Sequence, residues 1–212
     1  MDETSLISWL KGFTIDQAQT NKEVIICPPF TLLPDLKSQL LSKSKDVELG
    51  AQDISQFDEG AYTGEVNGKE IRELARFVIV GHSERRKNFS ENNEVVNAKI
   101  TQAFKNALIP IICVSNMEQV GALNEVIKDS AQFIIAYEPL FAIGSGNPDT
   151  PENADKTAEN IKNILGKIPV LYGGSVTSKN IGEFCKMPNI DGALIGKASL
   201  DPKEFSEIIK NA

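Results

Sequence analysis

The chain contains one histidine, His82, directly after an apolar run in the stretch FVIVGHSERR (77–86), with Ser83 and Glu84 behind it. A second such place is IAYEPLFAIGSG (135–146), where Glu138 closes an apolar run before a proline and two glycines. An imidazole and a carboxylate at strand ends can act together on a carbonyl compound: one polarises the oxygen and the other moves a proton. Two more runs end in YGGSV (172–176) and ALIGKAS (193–199). The backbone N–H groups of Gly144, Ser175, Gly196 and Lys197 fall in these turns, and unpaired donors there suit a phosphate. Each feature alone also reads as an ordinary strand end, a solvated glutamate or turn chemistry. Their combination and order point to a site.

Positioning these residues requires elements that deliver them to one end of a sheet. β-Branched runs occur at Val24–Cys27, Val47–Gln52, Phe77–Gly81, Ile109–Val114, Phe133–Glu138, Val170–Gly173 and Ala193–Gly196. Most are continuously apolar, as parallel strands buried on both faces are. Helices are expected between them. Ser90 is read as the cap of one whose stripe runs through Val96, Ile100 and Phe104. Thr150-Pro151 and Asp201-Pro202 each set a capping residue before a proline. Another helix, Ser5 to Leu10, opens the chain with Thr4 as its expected cap. No linker or composition break interrupts 1–212, so a single domain is expected. Strand–helix alternation suits a doubly wound sheet or a (β/α)8 barrel. The absence of GxGxxG after an early strand, and the polar strand ends, favour the barrel. Only seven strands are read, with eight helices, so the barrel's first strand is expected to be missing.

The net charge of −7 argues against nucleic acid or an anionic membrane as partner. Cys27, Cys113 and Cys185 lack CxxC spacing and read as reduced thiols, two of them in strands. No apolar stretch approaches the roughly 18 residues of a membrane span, and MDETSLISWLKGF lacks a signal-peptide pattern. A cytoplasmic location is expected.

GAYTGEV (60–66), VGHSERR (80–86), AYEPLFAIGSG (136–146), YGGSV (172–176) and DGALIGKASL (191–200) together resemble the triosephosphate isomerase family. The resemblance runs from Val24 to the end of the chain. It implies a (β/α)8 barrel that interconverts dihydroxyacetone phosphate and glyceraldehyde 3-phosphate in glycolysis and gluconeogenesis, with no metal or cofactor. It also implies a homodimer formed through the loop around Gln56 to Glu65. By the same resemblance Glu138 is the base and His82 the electrophile that stabilises an enediolate, with Ser83 and Glu84 in support. Pro139, Leu140, Phe141, Ala142, Ile143, Gly144, Ser145 and Gly146 form a lid. Gly144, Ser175, Gly196 and Lys197 take the phosphate. The family's first strand ends in Asn-x-Lys-Met, whose asparagine and lysine are catalytic. Met1 aligns with that methionine, so both residues are expected to be absent and activity reduced. Lys197 stands where the family has a glycine, and CVSN (113–116) where it reads Cys-Ile-Gly-Glu. The helix after CVSN is expected to be trimmed. Two other readings are a non-catalytic phosphate-ligand-binding or structural barrel descended from the family, and a different phosphate-binding barrel enzyme. VGHSERR weighs against the latter.

Overall fold

The structure is a computed structural model that describes residues 2–15, 22–40, 47–127 and 132–212; Met1 lies outside them. The elements run α1 (Glu3–Gly12), β1 (Val24–Ile26), α2 (Leu33–Leu40), β2 (Val47–Ala51), α3 (Gly68–Arg72), β3 (Phe77–Val80), α4 (Ser83–Asn88) and α5 (Asn93–Lys105). There follow β4 (Ile109–Val114), α6 (Met117–Ile127), β5 (Ile134–Tyr137), α7 (Pro151–Leu165), β6 (Val170–Tyr172), α8 (Ile181–Phe184), β7 (Gly192–Ala193) and α9 (Pro202–Asn211). The described residues thus hold the seven expected strands. They hold nine α-helices, one more than expected, because the stretch after β3 forms two helices.

Two compact units make up the chain. The first comprises Glu23–Cys113 and Gly121–Ile134. In it β1, β2, β3 and β4 pair in sequence order and in parallel, with Val24 opposite Val47, Gly50 opposite Phe77 and Phe77 opposite Ile109. All four residues of β3 are buried, as its unbroken apolar run requires. Helix α5 lays Val96, Ile100 and Ala103 into the same core. The second unit comprises the residues up to Lys22, Val114–Val120 and Ile135–Ala212. Here β5, β6 and β7 are parallel, with Ile135 opposite Val170 and Leu171 opposite Gly192. Trp9, Phe13 and Phe205 pack ring on ring between α1 and α9, and the Trp9 indole donates to the Ser199 carbonyl at 2.8 Å.

The helix starts partly correct the sequence reading. Thr150 and Asp201 cap α7 and α9 as expected, each followed by proline. The cap of α1 is Asp2, whose carboxylate accepts from Ser5 N–H, so Thr4 lies inside the helix. The cap of α5 is Asn92, which accepts from Val95 N–H; Ser90 instead turns the chain at φ 55°. The cause is α4, which begins at His82 and must end before α5 can start. β4 keeps its expected limits, and the other strands end a residue or more before theirs. Of the cysteines, only Cys113 lies within a strand, and all three are free thiols.

Candidate active site

In the first unit, His82 sits where β3 passes into α4. Gly81 reverses the chain there with φ +72°, a conformation that disfavours a side chain. His82 is the N-cap of α4, and its Nδ1 accepts from the Glu84 backbone N–H at 3.3 Å. A ring nitrogen that accepts carries no proton, so this bond favours the neutral imidazole with its hydrogen on Nε2. The ring is therefore oriented as a hydrogen-bond donor through Nε2. Ser83 is buried in the first turn, and Glu84 is exposed, with its carboxylate 4.0 Å from Nδ1. Arg86 ties α4 back to the strand end, donating from Nε to the Gly81 carbonyl and from Nη1 to Asn93, both at 2.9 Å. Arg85, one residue earlier, enters a cluster with Asp53, Glu91 and Lys99.

In the second unit, Glu138 follows β5 and is 2% exposed. Its N–H donates to the Val114 carbonyl at 2.8 Å, which fixes the backbone from which the carboxylate projects. Gly173, at the end of β6, is the close neighbour. A Cβ there would lie 2.9 Å from Glu138 Cγ and 3.2 Å from the Tyr137 carbonyl oxygen. The second residue of YGGSV is therefore a positional requirement for Glu138, which turn chemistry alone did not reveal.

The segment after Glu138 begins with a turn, Ala142 N–H to the Pro139 carbonyl at 2.8 Å. It buries Ala142 while Leu140 and Phe141 stand in solvent. Ser175 joins it: its hydroxyl donates to the Ala142 carbonyl at 2.6 Å and accepts from Gly146 N–H at 3.1 Å. The structure thus brings three predicted residues together, Ser175 with two members of the expected lid. Ile143 is half-buried, and Gly144, Ser145 and Gly146 are exposed. Gly196 precedes a short 3-10 helix (Lys197–Leu200) and accepts from the Ser199 backbone and hydroxyl, and Lys197 is exposed. Beyond the lid, Asp149 N–H donates to the Tyr172 hydroxyl at 2.8 Å, next to the cap of α7. Burial pushes the Tyr172 phenol up to about 12.

A cavity of about 240 Å³ in this unit is lined by residues such as Met117, Tyr137 and Thr157 and by Val114, Ser115 and Asn116 of CVSN, and by none of the expected catalytic or phosphate-binding residues. Among the described residues no group of three or more His, Cys, Asp or Glu side chains is placed to hold a metal, and no helix is long and apolar enough to cross a membrane. The first unit thus presents an imidazole whose Nδ1 is engaged, and the second a buried carboxylate beside glycine-rich turns.

Parallel strand–helix units whose polar residues and glycine turns gather where strands end define an α/β protein of the barrel-enzyme kind. Residues 2–212 match the triosephosphate isomerase family. A protein of Synechococcus sp. (strain JA-2-3B'a(2-13)) named triosephosphate isomerase is 41% identical over 206 residues, covering 90% of this chain and 82% of the relative. One of Mesomycoplasma hyopneumoniae (strain 7448) is 45% identical over 202 residues, covering 86% and 83%. One of Dictyoglomus thermophilum is 41% identical over 231 residues, covering 96% and 92%; both carry the same name. The chain belongs to the triosephosphate isomerase family, and its fold class is that family's (β/α)8 barrel, with seven strands among the described residues.

Proposed function

We propose that the chain is an isomerase that interconverts dihydroxyacetone phosphate and glyceraldehyde 3-phosphate by proton transfer through an enediolate. The family match across residues 2–212 carries this reading. Glu138 is the base, moving a proton between the two carbons that do not bear the phosphate. His82 donates from Nε2 to the substrate oxygen as it gains charge; its acceptor bond from Glu84 N–H supports that role. A neutral donor matches the acidity of an enediol better than imidazolium would. Ser83 and Glu84 serve as the first turn that orients the ring. Pro139 to Gly146 acts as the lid, excluding water from an intermediate that would otherwise eliminate its phosphate. Gly144, Ser175, Gly196 and Lys197 hold that phosphate. Proton transfer of this kind calls on no metal and no cofactor. The reading places a single-domain enzyme in the cytoplasm, in glycolysis and gluconeogenesis. It also makes the chain a homodimer, supported by the stacked and partly exposed Phe57 and Tyr62 in the loop of residues 56–65.

The test is turnover of each triose phosphate in deuterated water, with product deuteration followed by NMR. The expected result is interconversion in both directions with solvent deuterium entering at the carbon that is reprotonated. Glu138→Asp retracts the carboxylate by one methylene and should lower kcat by about a hundredfold while substrate still binds. A folded chain that interconverts neither substrate overturns the reading.

A further inference from the structure

Four charged side chains of the first unit close a ring behind α4. Asp53 pairs with Arg85 (Oδ2 to Nη2, 2.8 Å), and Arg85 with Glu91 (Nε to Oε1, 2.7 Å). Glu91 pairs with Lys99 at 2.6 Å, and Lys99 returns to both oxygens of Asp53 at 2.7 and 2.8 Å. The side chains of Glu91 and Lys99 are 5% exposed, and that of Asp53 13%. Arg85 stays 30% exposed, but taking the other three charges out of water costs free energy that their pairing does not reliably return, so such a ring is weak evidence for stability alone. Burial indeed raises the Asp53 carboxyl above its ordinary range, against the pull of Lys99.

What the ring does hold is α4. At six residues this helix has fewer than two turns and little stability of its own. Arg85 lies in its first turn, with its N–H on the His82 carbonyl at 2.9 Å, one residue past the Glu84 N–H that meets the imidazole. The other three members come from elsewhere: Asp53 from beyond β2, Glu91 from the α4–α5 connection and Lys99 from α5. A shift of the ring moves the turn that orients His82.

We propose that Asp53, Arg85, Glu91 and Lys99 form a positioning device that fixes the orientation and tautomer of His82. Its consequence for turnover rests on the role of His82 proposed above; its consequence for the tautomer does not. Loosening the ring frees the first turn of α4, weakens the Glu84 N–H bond to Nδ1 and lets the proton distribute over both ring nitrogens.

The experiment exploits His82 as the chain's single histidine. With 15N-labelled histidine at pH 8, the wild-type protein should show one neutral tautomer, protonated on Nε2. Lys99→Met should show a mixture, with kcat lowered about a hundredfold and KM within about threefold, as expected for a misplaced group that acts in the transition state. The pair Lys99→Met/Glu91→Gln removes one cation and one anion together, so it leaves no uncompensated buried charge, and it should give the same mixture if the single variant does not fold. A folded variant that keeps the single Nε2–H tautomer overturns the proposal. A tautomer mixture in the variant of a chain without isomerase turnover upholds the ring and overturns only the isomerase reading.

Discussion

Substituting Gly173 with alanine tests the position of Glu138 without touching its chemistry. The added Cβ would meet Glu138 Cγ at 2.9 Å and the Tyr137 carbonyl oxygen at 3.2 Å. Carbon atoms rest about 3.5–4.0 Å apart, so one partner must move by roughly 0.6 Å or more. The backbone is the less able to yield, because Gly173 N–H is held on that same Tyr137 carbonyl at 2.8 Å. The glutamate side chain is displaced. A displacement approaching 1 Å at a reacting group costs about a hundredfold in rate, or about 2.7 kcal/mol of barrier. Overpacking adds about 1–3 kcal/mol of lost stability, which in a chain of this size lowers Tm by about 2–4 °C for each kcal/mol. Gly173→Ala should therefore show kcat down about a hundredfold, KM within a few-fold and a melting temperature lower by several degrees. Gly121→Ala is the control. A Cβ there meets nothing within 4 Å, and replacing a glycine inside α6 should leave kcat unchanged and raise stability by about 0.5–1 kcal/mol. A Gly173→Ala enzyme with full kcat would refute the claim that this close approach sets the base.

Three further outcomes are expected. Ser175→Ala removes the hydroxyl that joins Ala142 and Gly146; kcat/KM should fall about tenfold, and the Gly146 amide should exchange faster in hydrogen-exchange measurements. Tyr172→Phe strands the Asp149 N–H and should cost about 1–3 kcal/mol at pH 8 by denaturant titration. Burial holds the folded phenol up at about 12 against an ordinary 10.0, so wild-type stability falls by up to about 2 kcal/mol as pH rises from 10 to 12, and parallel curves for the two proteins would contradict this. Asn92→Ala should destabilise by about 1 kcal/mol through loss of the α5 cap, whereas Ser90→Ala should not show a cap-sized loss; chemical denaturation distinguishes them.

Seven strand positions were legible in the sequence because each is an apolar run closed by glycine or a polar residue, and burial on both faces leaves little choice of composition. The positions of His82 and Glu138 were legible for the same reason, since a polar group closing such a run has to stand at its end, and Ser175 was legible from the two glycines that turn the chain before it. What remained hidden was set by tertiary contact. Gly173 reads as a turn residue until the Glu138 side chain is found against it. Asn92 displaces Ser90 as a cap only because α4 ends where it does. The ring around Lys99 left one sequence signal. Lys99 falls beside Val96 and Ile100 of the expected stripe, where the structure buries Ala103 in place of Phe104, and a lysine on an apolar helix face needs a buried partner, but the sequence does not name Asp53 or Glu91.

Gly81 and Gly173 both stand behind a proposed catalytic residue, yet they constrain the chain by different physics, and paired substitutions separate them. Gly81 has φ +72°, where a side chain costs about 1–2 kcal/mol whatever surrounds it. Its added Cβ would also meet the two methyls of Val96 at 3.0 and 3.1 Å and Arg86 Nη2 at 3.2 Å. Gly81→Ala should therefore carry a backbone cost and a steric cost together. Removing the methyls in Gly81→Ala/Val96→Ala relieves the two closest contacts of the second and leaves the first, at the expense of a cavity where Val96 was fully buried. Measured against Val96→Ala alone, the alanine at position 81 should still destabilise by about 1–2 kcal/mol. If the double variant is no less stable than Val96→Ala, crowding was the whole cost, and the left-handed turn before His82 does not itself demand glycine.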